Sequence, residues 1–258
     1  MCLILFAWKM RKDMPLLVAA NRDEWHRRPA AKATWWPTHP NILAGQDRQA
    51  RGTWLGVTRT GKFAAITNFR EPTPLKTGAP SRGELVLNYL REQKSPREYL
   101  DELTTQAGDY NGFNLLLADE KDMFCYSSVD NEIEVVAPGV HGLSNRALDT
   151  PWPKVVLGRG NMGAALEQKV SVDAPPERLL AILSDDTKAA DSALPTTGVG
   201  LDWERKLSPA LIVSEDYGTR CSTIFMAGTQ SSTFAEHTRD ATGAVVSVAT
   251  FQFDSEQR

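Results

Sequence analysis

The 258-residue chain has little cysteine, no long apolar run and no excess of basic charge. Each shortage excludes something. Its three cysteines, Cys2, Cys125 and Cys221, are too sparse and odd in number for a disulfide framework, and they suit a reducing compartment. No segment approaches the ~20 apolar residues that a membrane-spanning helix needs. With 29 Lys+Arg against 32 Asp+Glu the net charge is −3, which argues against a general nucleic-acid binder. The histidines, His26, His39, His141 and His237, are scattered without ligand spacing, so no metal site is read. There is no C-x-x-C-H motif for covalent haem. The glycines of Gly158 to Gly163 do not follow a strand in a βαβ unit, so they are not read as a nucleotide loop.

The start of the chain is apolar only from Met1 to Trp8, and Lys9, Arg11 and Lys12 follow that run rather than precede it. A secretory signal has the reverse order and a longer apolar stretch. There is no lipobox before Cys2 and no C-terminal prenylation motif. The expectation is a cytoplasmic protein without a transmembrane segment, whose mature N-terminus is at or next to Cys2.

What is present reads as strands, then helices, then strands. Cys2 to Trp8 and Leu16 to Ala20 form a hairpin around a Lys12 to Pro15 turn. Four polar residues, Asn21 to Glu24, then end the second strand. Two β-like runs flank Thr60-Gly61, and the second ends at Thr67-Asn68. Ser81 with Glu84, and Ser95 with Glu98, are capping boxes that open two helices, with Gly108 as a stop. Strands follow at Phe113 to Ala118, Met123 to Ser127, Glu132 to Ala137 and Gly142 to Asn145. Helices are expected from Thr150-Pro151 and over Pro176 to Leu183, then a long loop over Ser184 to Gly200. Three final strands span Thr219 to Ala227, Ser232 to Thr238 and Ala244 to Phe253. This order is α+β rather than alternating βαβ, and it predicts one domain over 1–258.

Cys2 carries the first chemical possibility. Removal of Met1 would leave a free α-amine beside its thiol, and such an amine accepts a proton near neutral pH, with a pKa of ~7.7–8.0. A nucleophile activated by an N-terminal amine is a known arrangement. The competing reading is a small apolar residue in a buried strand. Other polar strand ends share the same pattern: Arg22, Asp23, Asn68, Asn145 and Arg220. Asn amides are oxyanion donors, Asp23 is placed to orient the amine, and Arg22 or Arg220 to supply positive charge. The competing reading for each is an ordinary cap, turn or surface ion pair. Trp25, Trp35 and Trp36 either line a pocket mouth or fill the core.

Asn21-Arg22-Asp23-Glu24 resembles the NRDE signature of the family that includes the transport and Golgi organisation protein. The likeness continues through Met1-Cys2, GTWLG at 52–56, TN at 67–68, RGEL at 82–85, YNGFNL at 110–115, GLSN at 142–145, TPW at 150–152 and YGTR at 217–220. That family resembles in fold the N-terminal-nucleophile hydrolases that begin with cysteine, such as penicillin V acylase and choloylglycine hydrolase. The resemblance implies a four-layer αββα arrangement of two antiparallel sheets. It implies an amidohydrolase acting on a small acyl compound, with Cys2 as nucleophile and Arg22, Asp23, Asn68, Asn145 and Arg220 around it. Hydrolysis of this kind needs no cofactor. In those acylases the Arg and Asp are two residues apart. Here Arg22 and Asp23 are adjacent, so in an extended strand they face opposite ways. The family's links to haem imply the alternative of a non-catalytic haem carrier. A noncovalent haem needs only one axial ligand, and His26 is the histidine nearest the NRDE segment.

Overall fold

The computed structural model describes residues 2–71, 75–167 and 177–254. The chain is α+β, as the order of its elements implies, with two antiparallel sheets and helices against them. Its contacts gather into two compact units, each with its own sheet. The first unit takes the described parts of Met1–Arg27, Arg70–Pro72 and Pro138–Asp254. The second takes the described parts of Arg28–Phe69 and Thr73–Ala137.

In the first unit, β1 (Cys2–Trp8) and β2 (Leu16–Trp25) form the expected hairpin, in the register Cys2↔Arg22 to Trp8↔Leu16. β2 does not end at Ala20, however. It runs on through the Asn21 to Glu24 tetrad, because its backbone stays paired with the last strands of the chain as far as Tyr217↔Trp25. A buried backbone group needs a partner, and the ladder supplies one on both sides. The four polar residues therefore lie inside a central strand, not beyond it.

Five further elements of this unit matter to the site: β10 (Gly139–Leu143), α3 (Pro153–Leu166), α4 (Glu177–Leu183), α5 (Leu201–Leu207) and β11 (Tyr217–Ala227). With β12 (Ser231–Arg239) and β13 (Val245–Asp254) the sheet order is β10-β1-β2-β11-β12-β13. Alternate residues Leu3, Leu5, Leu17, Ala19, Ile224 and Met226 pack with Val155 and Met162 of α3 and Leu179 and Leu183 of α4. The intervening Ile4, Phe6, Val18 and Ala20 are buried as well, which is why β1 reads as an unbroken apolar run. Gly158 lies inside α3, where a Cβ would stand 2.5 Å from a Leu5 methyl. The glycine lets the helix settle onto β1. The expected helix at Pro176 is α4; Pro176 itself lies outside the described residues. The stretch from Ser184 is followed by α5, which no sequence pattern announced.

In the second unit the sheet order is β3-β4-β5-β6-β7-β8-β9. β3 (Ala30–Trp36) and β4 (His39–Asp47) come from a stretch with no clear strand pattern. Prolines 29, 37 and 40 interrupt it, and its register slips twice. β5 (Leu55–Thr58) and β6 (Phe63–Asn68) are the expected hairpin around Thr60-Gly61. β7 (Phe113–Ala118), β8 (Met123–Ser127) and β9 (Glu132–Val135) complete the sheet.

Helices α1 (Gly83–Arg91) and α2 (Pro96–Leu103) pack their apolar side chains into this unit's core. The Ser95–Glu98 capping box forms. The Ser81–Glu84 one does not: Arg82 is the N-cap, and Glu84 instead accepts from the Tyr110 hydroxyl at 2.7 Å. Gly108 sits in a separate 3-10 turn after α2 has ended. The buried Lys62 donates to the carbonyls of Tyr89, Glu92 and Lys94 at 3.1, 2.8 and 2.7 Å. It thereby satisfies groups that the C-terminus of α1 leaves over.

Candidate functional site

The register around the tetrad sets which side chains meet. Cys2 lies opposite Arg22, Arg22 opposite Cys221, and Asp23 opposite Thr219. β11 carries a bulge between Thr219 and Cys221, which takes up Arg220. Side chains alternate along β2, so Asn21 and Asp23 share the face that packs on the helices, and Arg22 takes the other face. Asn21 confirms the assignment. Its Nδ2 donates to the Leu183 carbonyl at 2.9 Å and the Ala210 carbonyl at 2.8 Å. Its Oδ1 has no hydrogen-bond partner among the described residues. The first residue of the NRDE segment thus ties the end of α4 to the sheet.

Asp23 sits at the centre of a buried charged cluster. Its Oδ1 accepts from the Thr219 hydroxyl at 2.7 Å, and its backbone carbonyl accepts from the Tyr217 hydroxyl at 3.1 Å. Burial pushes its carboxyl above the usual range, while Lys154 and Arg70 pull it back. Lys154, in the first turn of α3, is 5 % exposed. Its Nζ donates to the Leu207 carbonyl at 3.0 Å. Burial lowers its pKa to about 8, opposed by the charge of Asp23.

Arg70 is the second buried cation. Its Nη1 donates to the Glu204 carboxylate at 2.8 Å, and its guanidinium lies 4.5 Å over the Trp152 ring. Glu204 also accepts from the Thr197 amide and hydroxyl at 2.9 and 2.5 Å. The Arg70 amide donates to the Asn145 carbonyl at 2.7 Å.

The sequence-derived candidates fall as follows. Cys2 is buried, its carbonyl held by the Ser144 hydroxyl at 3.0 Å. Burial raises its thiol pKa; the Asp23 carboxylate raises it further, while the Asp23 amide and Arg22 lower it. Arg22 lies 4.0 Å from Glu24. Asn145 is fully buried two residues beyond β10, not inside the strand. Arg220 donates to the carbonyls of Trp25 and His26 at 2.9 and 3.1 Å, where it fastens the end of β2. Asn68 ends β6 in the other unit, opposite Phe113. The His26 ring pairs with the Ser214 carbonyl at 3.0 Å, and His141 with Asp149 at 2.8 Å. Of the tryptophans near the tetrad, Trp36 is in the core of the second unit and Trp35 is half-buried. Trp25 is exposed and meets Trp203 and Tyr217 edge to face.

Sequence reasoning missed Arg70, Lys154, Glu204 and Thr219. Three of them lie within or beside motifs that it did single out: Arg70 two residues after Thr67-Asn68, Lys154 two after Trp152, and Thr219 inside YGTR. Among the described residues no helix is long and apolar enough to cross a membrane, and no three His, Cys, Asp or Glu side chains gather as metal ligands.

The family model for Transport and Golgi organisation 2 matches residues 1–241. The Transport and Golgi organization protein 2 homolog of Bos taurus is 37% identical over 248 residues, covering 88% of each chain. The mouse homolog is 34% identical over 246 residues, again with 88% of each chain covered. The Drosophila melanogaster protein is 25% identical over 256 residues, covering 90% of this chain and 89% of its own. Among solved structures, a Caenorhabditis elegans N-acylethanolamine-hydrolyzing acid amidase ortholog covers 86% of this chain and 92% of its own, at TM-score 0.49 and 7% identity. A C2A mutant of the conjugated bile acid hydrolase from Clostridium perfringens covers 100% and 98%, at TM-score 0.48 and 9% identity. At these scores and identities the likeness says nothing about chemistry.

These matches correct the reading of the tetrad. The family model and the relatives carry the transport and Golgi organisation name, not an NRDE or haem-trafficking one. They replace the NRDE-family assignment, the N-terminal-cysteine amidohydrolase function attached to it and its haem-carrier alternative. The chain belongs to the Transport and Golgi organisation 2 family.

Proposed function

We propose that this chain works in transport and Golgi organisation, the process for which its relatives are named. It acts from the cytoplasm, through a small acyl compound bound at the charged end of the first unit's sheet. The observation that carries the site is the run of Asn21, Arg22 and Asp23, all buried in a central strand. Apolar side chains there would fold at lower cost, because each buried ion forfeits several kcal/mol of hydration, of order 3–5 kcal/mol when its partner is missing. Lys154 and Arg70 add two more buried charges on the same side. Costly polar groups concentrated at one place mark a site more often than a scaffold.

The test is complementation. Mammalian cells lacking their own relative receive this chain, and cargo secretion and Golgi morphology are scored. Rescue by the unaltered chain is expected, with loss of rescue for Asp23→Asn and Lys154→Met at equal expression. Failure of the unaltered chain would sink the proposed process. Full rescue by both variants would sink the proposed site while leaving the process standing.

A further inference from the structure

Among the described residues, four strands have a neighbour on one side only: β10 and β13 in the first unit, β3 and β9 in the second. Such a strand offers unpaired amides and carbonyls to any extended chain, and most proteins obstruct it. Three of the four are obstructed here. β3 carries the exposed Lys32, lies between Pro29 and Pro37, and slips twice in its pairing. β9 is four residues long and exposes Glu132 and Glu134. β10 is five residues long, and two of them are glycine.

β13 is different. It has ten residues, no proline, lysine or arginine, and a single acid, Asp254, at its last position. At its start the register with β12 moves from Thr238↔Ser247 to Arg239↔Val245, which leaves Val246 as a bulge. From Ser247 onward the ladder is regular. Residues 247–253 read Ser-Val-Ala-Thr-Phe-Gln-Phe, without charge and rich in the β-branched and aromatic types that strands favour. Val248, Thr250 and Gln252 are exposed on one face, Val248 by 55 %. Ser247, Ala249 and Phe251 are half-buried on the other.

The order of these residues fits them to a second copy of themselves. A two-fold axis perpendicular to the sheet lays the same strand alongside, antiparallel, and keeps every side chain on its own face. With the axis at Thr250, Thr250 meets Thr250, Ala249 meets Phe251, Val248 meets Gln252 and Ser247 meets Phe253. Paired threonines are a favourable cross-strand match, and each phenylalanine falls opposite a small residue. No charge meets a charge, since Asp254 falls opposite Val246, where the bulge ends the regular ladder. The incoming strand is already held straight by its own β12, so it loses less freedom on pairing than a loose peptide would.

We propose that β13 joins two copies of this chain edge to edge, across a two-fold axis at Thr250. Six strands from each copy then form one continuous sheet.

Sedimentation velocity on the full chain, over ~1–100 µM, should show a monomer–dimer equilibrium, the range expected of a small interface. Thr250→Lys sets two ammonium groups against each other at the axis, and Val248→Lys adds charge one pair away. Each should raise the dissociation constant about tenfold or more. Val156→Lys, at an exposed position of α3, should leave the equilibrium unchanged. Matching circular dichroism would show that the variants fold. An independent measurement is cross-linking of Thr250→Cys with a short bismaleimide. The three native cysteines are buried, so the new thiol is the one that reacts in the folded chain. A covalent dimer is expected from Thr250→Cys and none from Val156→Cys. A monomer throughout the range, a dimer that both edge lysines leave intact, or no cross-link at position 250 would each overturn the proposal. A monomer that binds a synthetic peptide of residues 245–254 would overturn it too, and would assign the edge to a foreign strand.

Discussion

The Thr219 hydroxyl and the Asp23 carboxylate meet at 2.7 Å, next to the bulge in β11. The same hydroxyl accepts from the Ile212 amide at 2.9 Å. Its proton is therefore committed to Asp23 and a lone pair to Ile212, which fixes its orientation. Both residues are almost wholly buried. The bulge sets Asp23 against Thr219 and keeps Arg22 against Cys221.

Thr219→Val keeps the shape and removes both hydrogen bonds. It leaves a buried amide without its acceptor and takes a donor from a buried carboxylate, a loss of ~3 kcal/mol of stability. Thr219→Ser keeps the hydroxyl and should lose less than about 1 kcal/mol, the scale of one trimmed methyl group. Urea unfolding at neutral pH measures both. Equal losses for the two variants would show that the hydroxyl has no special part.

Lys154 makes the stability of the chain depend on pH in the alkaline range. Burial takes its pKa from 10.5 to about 8. Between those values the unfolded chain holds a proton on this lysine that the folded chain has released. Stability therefore rises with pH across that window. The rise approaches ~3 kcal/mol at ~1.4 kcal/mol per unit. Asp23 has the opposite sign: its raised pKa makes stability fall as pH climbs through the acid range. Lys154→Met should flatten the alkaline rise and leave the rest of the profile in place. Superimposable profiles for the two proteins between pH 8 and 10.5 would refute the assignment.

The contrast between two capping boxes shows what was legible. Ser95 and Glu98 cap α2 as the pattern predicts, since nothing else competes for them. Ser81 and Glu84 have the same spacing, but Tyr110 takes the carboxylate and the helix starts at Gly83. Local chemistry is readable until a distant residue outbids it. The same holds at the site. Cys2, Arg22 and Asp23 were legible as a cluster because β1 and β2 form a hairpin. The adjacency of Arg22 and Asp23 already implied opposite faces. Lys154, Arg70 and Glu204 were not legible, because a lysine, an arginine and a glutamate in sequence give no sign of burial. Lys154 comes in with α3 and Glu204 with α5, while Arg70 lies just past the end of β6. β3 and β4 were hidden by their prolines and register slips.

The three cysteines offer a direct check on the site's accessibility. All are buried, and burial raises the thiols of Cys2 and Cys221 above their ordinary range. In the native chain near neutral pH, Ellman's reagent should find no rapidly reacting thiol. All three should react once urea unfolds the protein. A fast native phase that disappears in Cys2→Ala would show that the thiol is open to solvent and more acidic than its burial allows.

Arg70 and Glu204 form a deeply buried ion pair, each side chain 4 % exposed. Removing one partner strands the other without water. Arg70→Met or Glu204→Leu alone should each cost ~3–5 kcal/mol. The double substitution removes both charges, so it should cost less than the two added together, by a coupling of ~1–3 kcal/mol. A stability contribution is not all the pair provides. Glu204 also holds Thr197, so either single change should speed hydrogen exchange at the Thr197 amide more than at amides of β1. Additive losses in the cycle, with uniform exchange, would mean that the pair neither couples nor fixes the segment around Thr197. Coupling together with selective exchange would tie the stability of this pair to the placement of the Thr197 segment.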